Sequence, residues 1–160
     1  MKTFIPLATI GLAFAVPAAA QVMPAADYVK TAGASDLFER ESAQVVLQTT
    51  TNPKVKSFAN MMISAHSKST TDVKAAALRA KVAATPPMLT PAQSDMIAQL
   101  RAQTGTARDA TYIAQQKTAH GQALSLQQAY ATGGKAMPLK AVAMKIVPVV
   151  KHHIQMLDAM

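Results

Sequence analysis

The strongest constraint on this chain is where its helical periodicity stops. Apolar residues recur at spacings of three, four or seven along four long stretches, and Pro, Gly and Thr signals separate them. The first stretch is expected over residues 25–50, with Tyr28, Ala32, Phe38, Val45 and Val46 as its apolar positions and Gly33 weakening its early part. Asn52 is placed to cap the second, and Pro53 fits its first turn. That second helix is expected over 53–82, where Val55, Phe58, Met62, His66, Val73 and Ala77 form one stripe. Thr85-Pro86-Pro87 ends it, because proline cannot continue the backbone ladder.

A short helix follows over 91–103, started by Thr90 and closed by Gly105. The third long helix is expected over 107–131, with Tyr112, Gln116, His120, Leu124 and Gln127 along one line and Gly133-Gly134 as its stop. The fourth covers 137–157, with Leu139, Ile146, Val150, His153 and Leu157 on one face and Pro148 as an internal bend. Short connections make the first and second long helices antiparallel neighbours, and likewise the third and fourth. The longer middle link can cross the whole assembly. The expected fold is therefore all-α: a four-helix bundle of ferritin-like type, with a short extra helix in the link between helices two and three. Scarce aromatics, no tryptophan and ten methionines fit helix packing better than a β-sandwich.

Residues 1–20 read as a targeting segment. Lys2 precedes the apolar run 4–16, and Pro17 with Ala18-Ala19-Ala20 supplies the break and the small-residue cleavage pattern. The run is shorter than the roughly 20 residues that span a bilayer. Cleavage after Ala20 is expected to release a single helical domain, residues 21–160, into the periplasm or another exported location. There is no cysteine, which excludes disulfides, thiolate metal sites and thiol catalysis.

The formal net charge is +8, falling to +7 without Lys2. Lys and Arg are scattered singly and stacking aromatics are few, so nucleic acid is not an expected partner. The charge reads as solubility and as attraction to an anionic envelope surface or a protein partner.

Three histidines lie on the buried stripes. His66 follows Phe58 and Met62, His120 follows Tyr112 and Gln116, and His153 follows Ile146 and Val150. His152 points about 100° away from that line, outward. His66 lies thirteen residues after Pro53, His120 thirteen after Ala107, His153 sixteen after Met137, and Glu39 thirteen before Asn52. At about 1.5 Å per residue these levels agree to within about one turn, so one residue from each long helix can meet inside.

The stretch from Tyr28 through Thr31-Ala32-Gly33 and Asp36 to Glu39 resembles the opening helix of the DUF4142 family, exported bacterial proteins classed as ferritin-like. Asn52-Pro53-Lys54-Val55-Lys56, Phe58-Ala59 and Met61-Met62 resemble its second-helix start, with His66 at the family's helix-two histidine. Asp109, Tyr112 and His120 resemble its third-helix pattern, and Pro148 with His153 its fourth. The resemblance covers essentially the whole chain after the targeting segment. It implies the fold and carries no established biochemistry. Two positions depart from the pattern: Ala65 stands where an acidic residue usually precedes the helix-two histidine, and Arg108 stands where an aromatic usually precedes the aspartate.

The functional reading is an exported, non-enzymatic binding or envelope stress-related accessory protein. The alternative is a metal-binding bundle with His66, His120 and His153 as ligands and Glu39 as carboxylate, taking zinc, copper or iron. Against that alternative stands a core network in which the same histidines bond Glu39, Gln116 and Tyr112. A His/Met copper variant draws on Met61, Met62, Met144 and Met156, although methionine is commonly a core filler. A di-iron oxidase is excluded, because Glu39 and Glu41 are the only glutamates and neither begins a Glu-x-x-His motif. No nucleophile elbow, phosphate loop or paired-carboxylate constellation supports catalysis. Asp109 reads as an acid in the first turn of its helix, and Asp36 with Glu39 and Glu41 as a solvated acidic face.

Overall fold

The computed structural model describes residues 23–160, and the expected targeting segment, residues 1–20, lies outside them. The described residues are all-α, with five helices: α1 Ala25–Leu47, α2 Pro53–Arg79, α3 Pro91–Arg101, α4 Gly105–Gly133 and α5 Met137–Asp158. No described helix is long and apolar enough to cross a membrane.

The helix starts follow local chemistry. Asn52 accepts hydrogen bonds from the backbone of Lys54 at 2.9 Å and Val55 at 3.5 Å, and Pro53 follows as expected. Thr90 and Gln93 form a reciprocal capping box at the start of α3. Two boundaries differ from expectation at the other ends. α1 stops at Leu47 and α2 at Arg79, each about three residues early. Gly105 opens α4 instead of closing α3, and its φ of +54° shows why glycine stands there.

Packing then sets the order of the long helices. α1 lies along α2 and α4 along α5, with α1 also against α4 and α2 against α5; α3, carried in the link, packs on α1 and α4. The link closes over α1 at Gly33, where an added Cβ would lie 3.2 Å from the Pro87 Cβ. The glycine that weakens the helix locally is what lets the link approach.

The core is split. One apolar cluster holds Phe38, Val46, Val55, Phe58, Met62, Ile97, Leu100, Tyr112 and Leu157, and a second holds Tyr28, Ala32, Val73, Ala77, Tyr130, Leu139 and Ala143. Along α2, α4 and α5 a buried histidine falls between residues of the two clusters, and on α1 Asp36 falls between Ala32 and Phe38. The polar residues therefore form a layer between two apolar ends.

Candidate metal centre

Each histidine reaches the interior because its helix puts it on the stripe that also carries core residues. His66, His120 and His153 are 6%, 0% and 3% exposed, whereas His152 faces solvent. Their ring centroids lie 5.7 Å apart for His66 and His120, 5.8 Å for His66 and His153, and 5.3 Å for His120 and His153. One ligand nitrogen from each falls within 4.8 Å of the other two. Phe58 closes one side of the cluster, 6.1 Å from the His120 ring and 6.4 Å from that of His153.

The hydrogen bonds fix which nitrogens are free. Nδ1 of His66 stands 2.8 Å from Asp36 Oδ1, and the second Asp36 oxygen accepts from Thr70 Oγ1 at 3.1 Å. Arg40 in turn donates to that Thr70 hydroxyl at 2.9 Å. In its neutral form His66 therefore donates through Nδ1 and keeps its Nε2 lone pair, and that Nε2 is buried with no hydrogen-bond partner among the described residues. Nδ1 of His120 lies 3.0 Å from the Gln116 carbonyl oxygen, which can only accept, so the lone pair of His120 is also on Nε2. That Nε2 is 3.3 Å from Nδ1 of His153. His153 Nδ1 is therefore the donor to it. Two nitrogens bound to one tetrahedral ion at about 2.0–2.1 Å stand about 3.3 Å apart, so the spacing suits an ion that replaces this hydrogen bond once the His153 proton moves to Nε2.

Carboxylates stand behind the rings. Glu39 Oε1 is 3.6 Å from His120 Nδ1, and both Glu39 oxygens are buried without a hydrogen-bond partner. Ser42 and Gln116 brace the layer: Gln116 Nε2 donates to Ser42 Oγ at 3.1 Å, and Ser42 Oγ to the Glu39 carbonyl at 3.1 Å.

The electrostatics follow from this burial. Burial, offset in part by His66, raises the Glu39 carboxyl from 4.5 to about 7. Burial and the charge of His66 lower His120 from 6.5 to about 4. Burial, then His120 and His66, lower His153 from 6.5 to about 3. Burial also opposes charge on His66, but the Asp36 hydrogen bond and the charges of Glu39 and Asp36 outweigh it and raise that histidine. His120 and His153 thus stay neutral, which is the form that binds metal.

Two sequence readings are corrected. Asp36 is not part of a solvated acidic face; it is 5% exposed, and Glu39 is fully buried. Asp109 is likewise buried and accepts from Thr50 Oγ1 at 3.0 Å, tying α4 to the turn after α1. Sequence reasoning missed Asp36 as the partner of His66. The signal was its position one helical turn before Glu39, on the same face of α1. The acid missing at Ala65 is thereby supplied from another helix. Of the methionines considered, Met62 belongs to the apolar cluster around Phe58, Met61 and Met156 pack against it, and Met144 is 60% exposed.

The family described as "Domain of unknown function (DUF4142)" matches residues 12–160. The chain belongs to the DUF4142 family. No curated protein and no solved structure matches it. The DUF4142 description assigns no chemistry, so a functional reading of this member has to come from the site itself.

Proposed function

We propose that this DUF4142 protein binds a transition-metal ion through His66, His120 and His153, held in the interior of a ferritin-like bundle formed by the four long helices. One observation carries the reading: three imidazoles from three helices converge in a buried layer, with ligand nitrogens within 4.8 Å of one another. A purely structural network would satisfy its buried polar atoms. Here His66 Nε2 and both Glu39 oxygens have no partner among the described residues, and an ion at the centre of the cluster would take up the first. Asp36 orients His66 from behind, as carboxylates do for metal-binding imidazoles, and the Gln116 carbonyl does the same for His120. Three imidazoles suit zinc first, with copper and iron as the other candidates.

The same proposal makes the protein a non-enzymatic accessory of the cell envelope. The apolar run and small-residue pattern of residues 1–20 support export, and the scattered basic charge supports contact with anionic surfaces.

Elemental analysis of the purified protein tests the site, together with melting curves recorded with and without zinc, copper and iron. The expected result is one ion per chain and a rise in Tm that saturates with metal. His120→Gln should abolish both while the helical signal persists. If His120→Gln changed only stability, by about 1–3 kcal/mol, and no variant or wild-type protein took up metal, the histidines would be core residues.

A further inference from the structure

A groove between α2 and α5, with a volume of about 460 Å³, reaches the cluster from outside and is lined by both His66 and His153. His120, the histidine that does not line it, is the one with no exposure at all. The cluster is thus closed on one side by Phe58 and opened on another by this groove. Three protein ligands leave a tetrahedral ion one position short, and metal sites of that kind hold a water or an exogenous ligand there.

The groove lining narrows the chemistry of that ligand. Val142, Ile146, Val149 and Val150 give it an apolar wall along α5. Lys68, Arg79 and Lys145 make its charge positive, and its one acid, Asp72, is paired with Lys68 at 2.6 Å. Ala65, directly before His66, adds no negative charge where the groove meets the cluster. The volume lies in the ordinary range for small-molecule sites. From His66 to Arg79 the groove follows thirteen residues of α2, or about 20 Å at 1.5 Å per residue.

Resting on the metal reading above, we propose that the ion keeps an open coordination position facing the α2–α5 groove, and that this position takes a small carboxylate with an apolar tail. The carboxylate oxygen replaces water on the ion. The tail lies along Val150, Ile146 and Val142, and the lysines and arginine draw the anion in.

Cobalt(II) is the probe, because its visible bands report coordination directly. The full protein is loaded with cobalt(II) and titrated with octanoate, and in parallel with acetate, which has the same head group and no tail. Octanoate should change the visible bands and bind at least about ten-fold more tightly than acetate, since burying even two methylenes gives that factor. Ala75→Trp fills the groove from an exposed position of α2 and should leave cobalt uptake intact while weakening octanoate about ten-fold or more. Lys145→Glu should weaken both anions. If cobalt(II) is not taken up, the metal reading fails and this proposal with it. If cobalt(II) binds but its bands ignore both anions, the site is closed and only the present proposal falls. It falls as well if acetate and octanoate bind equally, if octanoate binds the metal-free protein just as tightly, or if Ala75→Trp has no effect.

Discussion

At the scale of single residues, the buried layer works by pinning Nδ1 of two of the three rings so that Nε2 of each carries the lone pair of the neutral form. Asp36 does this for His66 across 2.8 Å, and the Gln116 carbonyl does it for His120 across 3.0 Å. Asp36→Asn keeps the shape but loses the charge that fixes the His66 tautomer. Metal affinity should fall about 10–100-fold, measured by competition with a chelating dye. The same layer sets the pH response of the metal-free protein. Unfolding takes up protons on His120 and His153 below pH 6.5, because folding lowers them to about 4 and about 3. It releases the proton that Glu39 holds in the folded state between 4.5 and about 7. Net uptake is about one proton between pH 6.5 and 4.5 and about two just below that, so stability falls as pH drops, and more steeply below 4.5. Above 6.5 the folded state retains protons on His66 and Glu39 that the unfolded chain has shed, so stability also declines as pH rises. Denaturation midpoints from pH 4 to 9 should therefore peak near 6.5, and Glu39→Gln should raise stability at pH 8 by roughly 1–3 kcal/mol.

At the scale of elements, the helices end where side chains from elsewhere finish them. Arg108 is 4% exposed and donates to the Val45 carbonyl at 2.8 Å and the Gln103 carbonyl at 2.6 Å. It therefore adds a donor to carbonyls in the last turn of α1 and just past the end of α3 from its place in α4. This gives the buried arginine its use: hydrogen bonds to the ends of two other helices. Arg108→Met preserves the apolar stem and removes the donors, and should cost about 1–3 kcal/mol by chemical denaturation with metal uptake unchanged. The early end of α1 belongs to the same scale. Periodicity alone carries a helix onward until proline or glycine interrupts it, whereas the turn residues Thr50 and Asn52 are held by side-chain hydrogen bonds, Thr50 to Asp109 and Asn52 to the start of α2.

At the scale of the whole molecule, the polar layer separates two apolar clusters that would otherwise be one core, and it joins α1, α2, α4 and α5. Buried polar layers of this kind contribute little stability by themselves. An ion bound there would tie α2, α4 and α5 together, so zinc should slow amide exchange around His66, His120 and His153 far more than in Pro91–Arg101. Equal slowing in α3, or none anywhere, would contradict a site at the cluster. The sequence alone determined the helical class, the capping of α2 by Asn52, the presence of a non-helical link containing Pro86-Pro87 and the inward stripe of the three histidines. Those features depend on residues within one or two turns of each other, where spacing and backbone chemistry decide. Only the tertiary structure decided that Asp36 is buried against His66, that Arg108 bonds the ends of two other helices, that Gly33 makes room for Pro87, and that a groove lies open beside His66 and His153. Each of these joins residues distant along the chain, and helical periodicity fixes which way a side chain faces without fixing which neighbour it meets.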